Sequence, residues 1–153
     1  MRSKIPLAVA VLFGVITVPL LAAGIDNKPV DMQSIQALEA RAVAAQPREQ
    51  CFLYAELVHQ MTELSLRQYA AGDVTNATAM LKHVQQISQK IHLAMAANDK
   101  RLKNAEILLR HTAFRLNEML HGSSFEDRPL VEETLAQVNH AQSEAMMQVF
   151  RNR

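Results

Sequence analysis

Two pairs of glutamate and histidine are spaced like ligands of a carboxylate-bridged di-iron site. They are Glu56/His59 and Glu118/His121, and the Glu-x-x-His spacing places both members of a pair on one side of a helix. In a four-helix bundle, such a site also needs a Glu from each of the two other helices. The segment 74–97 contains no Asp or Glu, so one ligand is missing. The sequence therefore does not predict a di-iron site.

Histidine and methionine side chains are also the ligands that haem or copper would use. Covalent haem is excluded because the sequence contains no C-x-x-C-H motif. The helical pattern predicts that five methionines face inward: Met61, Met80, Met95, Met119 and Met146. Methionines in such a pattern usually fill gaps in a core. His83 and His92 border the apolar stripe of their helix and are the candidate metal ligands, while no cofactor is predicted.

The residues needed for nucleophilic catalysis do not occur in a recognisable arrangement. The sequence has no G-x-S-x-G motif, and Cys51, its one cysteine, has no histidine at a helical spacing that would activate it. We therefore predict that the protein is not an enzyme. Cys51 either forms an intermolecular disulfide or is a buried side chain, and the second alternative is the commoner state of a lone cysteine.

The first residues have the pattern of a secretory signal peptide. Arg2 and Lys4 precede a mostly apolar run, residues 5–21, that ends in small residues. Two prolines and a glycine interrupt the run, which is shorter than the roughly 20 apolar residues of a spanning helix. We predict that residues 1–23 are removed on export to the periplasm or beyond, with the cut after Ala23 or Gly24. No integral membrane segment would then remain.

The remaining chain suits one domain with little net charge. We expect a tether over 24–30 and a single domain over 31–153, which is within the usual size range. Loss of Arg2 and Lys4 changes the formal net charge from +1 to −1. A protein with so little net charge has no overall field that would attract nucleic acid, so a nucleic-acid partner is not expected.

Apolar residues recur at helical spacing through the predicted domain. The pattern predicts an all-α antiparallel bundle of three to four long helices and a short N-terminal helix that is capped by Asp31 and ends near Pro47. Gly72-Asp73 is typical of a helix stop followed by a new start. The remaining question is Asn98-Asp99, which is either a turn or part of one long central helix. The apolar spacing continues in phase through this site and favours the long helix.

Four apolar residues lie opposite the main stripes of their helices and indicate a contact surface. They are Phe52 and Leu66 on one helix and Ile107 and Phe114 on a later one. Either the short N-terminal helix or a second copy of the chain could cover them. We therefore expect an exported, non-enzymatic protein that acts through protein contacts, as a homo-oligomer or with another exported protein. Binding of metal or haem through His83 or His92 is the alternative.

Two limited resemblances to known families are present. The segment from Tyr69 to Asp73 is similar to the turn of a tetratricopeptide hairpin, but no second copy follows at a period of 34 residues. The chain also resembles exported helical cradle chaperones in size, predicted compartment and helix content, while their L-T-x-x-Q signature is absent. That resemblance implies chaperone activity as a further alternative.

Overall fold

The computed structural model describes residues 29–95 and 101–151, which form helices and contain no strand. The expected all-α class is therefore confirmed. The helices are α1 (Met32–Ala44), α2 (Pro47–Ala70), α3 (Val74–Ala94), α4 (Leu102–Gly122) and α5 (Arg128–Arg151). None of these helices is both long and apolar enough to cross a membrane. The predicted signal peptide lies outside the described residues.

Local chemistry sets several of the helix ends. Asp31 begins α1 with a capping box, since its carboxylate accepts from the Ser34 amide at 2.7 Å and the Ser34 hydroxyl accepts from the Asp31 amide at 3.0 Å. Gly72 ends the α2 region with φ +81°, a left-handed conformation that glycine adopts without strain. Asp73 then caps α3 through the Asn76 amide.

Cross-helix contacts define how the four long helices run. Ser65 near the end of α2 donates to the carbonyl of Ala77 near the start of α3 at 2.9 Å, so these two helices are antiparallel. His59 and Glu63 contact Thr112 and Arg115 in the same order, so α2 and α4 are parallel. In the described part of the chain, α2 packs against α3 and α4, and α5 packs against the same two helices. Thus α3 and α4 lie diagonally across the bundle.

The preference for one unbroken central helix was wrong. Because α3 runs antiparallel to α2 and α4 runs parallel to it, α3 and α4 point in opposite directions and form two separate helices. An apolar spacing that continues without a shift is also compatible with two helices that each bury one apolar stripe. The spacing therefore does not distinguish one long helix from two shorter ones. Asn98 and Asp99 themselves lie outside the described residues.

The short helix α1 packs antiparallel on α2. Arg67 near the end of α2 donates to the carbonyl of Val30, whereas Gln50 near its start donates to the carbonyl of Val43. Arg41 of α1 also forms an ion pair with Glu56 of α2 at 3.2 Å. These contacts fix α1 along the outside of α2, which it covers through buried Ile35, Leu38 and Ala42.

A hydrogen-bonded tyrosine links α2 to the loop that joins α4 and α5. The Tyr69 hydroxyl donates to Asp127 at 3.2 Å and accepts from the amide of Ser124 at 2.8 Å. The Ser124 hydroxyl also bonds to the Asp127 carboxylate at 2.6 Å. The loop is thereby tied to α2 at one end of the bundle.

The core is built from the predicted stripes, with one correction among the methionines. Met61, Met80, Met95 and Met119 are buried, as expected, but Met146 is 40% exposed. The buried positions of α5 include Ala141 and Ala145, and Met146 lies about 100° around the helix from Ala145. Its expected inward orientation was therefore wrong.

Replacement of a fully buried leucine should destabilise the bundle. Leu57 of α2 has no exposed surface, so Leu57→Ala is expected to lower the free energy of unfolding by about 2–5 kcal/mol. Urea unfolding followed by circular dichroism measures this change. Leu93→Ala is the control because Leu93 is exposed, and its effect should stay within about 0.5 kcal/mol. Equal losses in the two variants would contradict the placement of the core.

Cys51 is fully buried at the start of α2. Its thiol should therefore be inaccessible to a maleimide in the folded protein and react in full once urea unfolds the chain. Intact-mass spectrometry after a timed reaction measures both states. Rapid labelling of the native protein would show that the N-terminal end of α2 opens readily.

Candidate interaction surface

Helix α4 has one face in the core and an apolar pair on the opposite face. Leu102, Ala105, Leu109, Leu116 and Met119 are buried on its inner side. Ile107 is 43% exposed and Phe114 is 60% exposed. Their separation of seven residues is about two helical turns, or roughly 10 Å, so both side chains lie along the same side of the helix.

Charged residues surround this apolar pair along the same side of α4. Lys103, Arg110 and Glu118 are exposed and, with Ile107 and Phe114, fall within about 80° of the helix circumference at 100° per residue. We call these five residues the α4 outer face. An apolar centre with charged residues around it is the usual composition of a protein contact surface.

The two α2 residues predicted to share this surface are covered within the chain. Phe52 is only 8% exposed, and the guanidinium of Arg101 lies 3.3 Å from the centre of its ring. Leu66 is partly buried against the core. The C-terminal end of α1 also lines a groove beside Phe52. Of the four residues proposed from sequence, the structure leaves Ile107 and Phe114 as the exposed pair.

A bidentate ion pair fixes α4 against α2 beside the α4 outer face. Arg115 donates to both carboxylate oxygens of Glu63, at 2.7 and 3.2 Å, and also contacts Glu118. The hydrogen bond from Arg115 lowers the pKa of Glu63, and the same bond raises the pKa of Arg115. Both groups are therefore charged, and they hold the helix that carries Phe114.

His59 makes a second polar link between α2 and α4. The Thr112 hydroxyl donates to the carbonyl of Leu108 at 2.8 Å, so its oxygen accepts from Nδ1 of His59 at 3.1 Å. Burial lowers the pKa of His59, and the nearby His111 and Arg115 lower it further against the opposing effect of Glu63. The ring is therefore neutral around pH 7 and acts as a hydrogen-bond donor between helices.

The two Glu-x-x-His pairs remain apart in the structure. Glu56 binds Arg41, whereas Glu118 contacts Arg115 and His121 bonds to the carbonyl of Asn117. Within residues 29–95 and 101–151, no group of three or more His, Cys, Asp or Glu side chains is arranged to hold a metal ion.

The candidate metal ligands His83 and His92 each lie beside a carboxylate from another helix. His83 is 3.2 Å from Glu39 of α1, and His92 is 2.8 Å from Glu144 of α5. His140 is also 3.5 Å from Glu144. Sequence reasoning missed Glu39 and Glu144 because they are remote in sequence. For the contacts among His92, His140 and Glu144, the signal in the sequence was the spacing of His140 and Glu144, which are four residues apart on one helix.

Comparison of the chain with family models, with curated proteins and with solved structures finds no match.

The buried His59 should make stability depend on pH in a defined direction. Its folded-state pKa is lowered, so as the pH falls the unfolded chain binds a proton at His59 first, near its pKa of about 6.5. The free energy of unfolding should therefore decrease with falling pH. His59→Gln keeps a donor for Thr112 and should reduce this decrease between about pH 7.5 and 5.5.

Urea unfolding at several pH values measures the effect of His59. His121→Gln is the matched control because His121 is exposed and its ring bonds to the carbonyl of Asn117 in its own helix turn. An unchanged pH dependence in His59→Gln would contradict this prediction, because it would show that folding does not lower the pKa of His59.

Proposed function

We propose that this protein is an exported, non-enzymatic helical bundle that acts by binding protein through the α4 outer face. The observation that carries the proposal is the alignment of Ile107 and Phe114, both exposed, on a helix whose inner face is built into the core. A Phe side chain that remains in water forgoes about 1.5–3 kcal/mol of burial free energy. A protein partner that covers the ring recovers that free energy.

The rigid support of α4 favours a preformed contact surface. The inner leucines of α4 fix its position in the core, and Arg115 holds its middle part to Glu63 of α2. A surface that is already ordered loses little conformational entropy when it binds. Binding through the α4 outer face therefore costs less conformational entropy than binding through a flexible loop would.

The non-enzymatic part of the proposal is supported by the partners of the polar groups. His59, Glu63 and Arg115 between α2 and α4 are bonded to side chains of the facing helix. His83 and His92 are likewise paired with Glu39 and Glu144. These interactions connect helices and account for the placement of these groups. Export is inferred from residues 1–23, which have the pattern of a signal peptide.

The test of the contact surface is the substitution Phe114→Glu. Native mass spectrometry of the protein recovered from its exported compartment should find the wild type bound to a second polypeptide and Phe114→Glu as a single chain. Phe125→Glu is the matched control, because Phe125 is exposed in the loop between α4 and α5, and it should keep the wild-type mass. Circular dichroism verifies that each variant is folded.

Two results would overturn the proposal. One is a wild type that stays a single chain without a protein partner at every concentration. The other is an assembly that Phe114→Glu leaves intact. A bound metal or haem mass on a single chain would instead support the alternative through His83 or His92.

A further inference from the structure

We infer that the partner of the α4 outer face is a second copy of this chain, with the two α4 helices packed antiparallel about a two-fold axis between Arg110 and His111. This inference rests on the proposed function, since it names the partner of the same surface. Its basis is the order of residues along α4. When a second α4 helix runs in the opposite direction, apolar residues lie opposite apolar residues and the charges at the two ends lie opposite charges of the other sign.

The two-fold axis pairs the apolar residues with each other. Because Arg110 and His111 lie midway between Ile107 and Phe114, an axis at this point places Ile107 of each copy opposite Phe114 of the other. A two-fold interface has to be complementary to itself in this way. Both residues are exposed in the single chain, so the pairing covers two Ile–Phe contacts at the centre of the interface.

The same axis pairs opposite charges at both ends of the α4 outer face. Lys103 lies four residues before Ile107, and Glu118 lies four residues after Phe114, so each Lys103 meets Glu118 of the other copy. Both residues are exposed. Two such ion pairs would form, one at each end of the helix contact. Charges of this kind at the edge of an interface fix its register and direction.

A parallel arrangement of the two α4 helices would bring like charges together. Each residue would then lie near its own counterpart, so that Lys103 would face Lys103, Arg110 would face Arg110 and Glu118 would face Glu118. In the antiparallel arrangement, like charges of the outer face meet near the axis, where the two Arg110 side chains approach each other. Glu106 lies 3.9 Å from Arg110 in each copy and reduces that repulsion. Charge therefore favours the antiparallel direction.

Helix α5 extends the apolar area next to this surface. Gln142 of α5 donates to Glu106 of α4 at 2.8 Å, and α4 and α5 are consecutive helices that pack side by side. One turn further along α5, Met146 lies level with the first turn of α4 and is 40% exposed. Glu118 of the second copy would arrive at this end, so the long side chain of Met146 adds apolar contact around the ion pair.

The test is a charge reversal and its compensation. Lys103→Glu places Glu opposite Glu118 at both ends of the pair, and Glu118→Lys places Lys opposite Lys103. Each single variant should raise the dissociation constant of the dimer at least about tenfold at low salt. The double variant Lys103→Glu/Glu118→Lys restores opposite charges and should return to within about threefold of the wild type. Sedimentation velocity over a range of concentrations measures all four proteins.

Both substitutions are compatible with the fold. An acidic residue suits the first turn of a helix and a basic residue suits its last turns. The two hydrogen bonds from Arg115 to Glu63 do not involve Glu118, so we expect them to persist when Glu118 is replaced. Lys82→Glu is the matched control, because it makes the same change of charge on an exposed position of α3, diagonally across the bundle. It should leave the dimer unchanged.

The possible results separate this inference from the proposed function. If Phe114→Glu dissociates the assembly but the double charge variant does not recover, the contact surface is right and the antiparallel register is wrong. If the second polypeptide has a different mass from this chain, self-pairing is wrong and the contact function stands. A wild type that never associates overturns both.

Discussion

Five consecutive residues of α2, Cys51 to Ala55, are buried, and this burial constrains the rest of the bundle. Residues in succession on a helix point in all directions, so a buried run of five requires neighbours all around the helix. Helices α1, α3 and α4 supply them. Arg101 covers the ring of Phe52, and Lys90 of α3 lies 5.9 Å from the ring centre of Tyr54. The first turns of α2 are therefore enclosed by α1, α3 and α4.

Polar contacts outside the core join the two pairs of parallel neighbouring helices, α2 with α4 and α3 with α5. Between α2 and α4 these are the His59–Thr112 and Glu63–Arg115 contacts, and between α3 and α5 they include Gln85 with Thr134 and His92 with Glu144. Such partly exposed contacts contribute little to stability individually. Their value is geometric, because each one fixes the height of one helix against its parallel neighbour.

Features that depend on neighbouring residues were predictable from the sequence. The Asp31 capping box, the Gly72-Asp73 boundary and the inward faces of α3 and α4 follow from side chains within a few residues of one another. Features that depend on which helices pack together were not predictable from the sequence. The direction of α4 relative to α3, the cover of Phe52 by Arg101 and the partners of His83 and His92 depend on packing between distant segments. The helical spacing predicted that Ile107 and Phe114 lie on the outer side of α4. It did not predict that Phe52 and Leu66 of α2 are covered by other parts of the chain.

The hydrogen bonds of Tyr69 have a consequence for the order in which the chain folds. The hydroxyl joins α2 to Ser124 and Asp127, which lie more than fifty residues later in the sequence. A helical hairpin of α4 and α5 that forms alone lacks this anchor for its connecting loop. The loop therefore acquires its final hydrogen bonds only when that hairpin docks on α2, and the Ser124 amide serves as an internal marker of that docking step in hydrogen exchange.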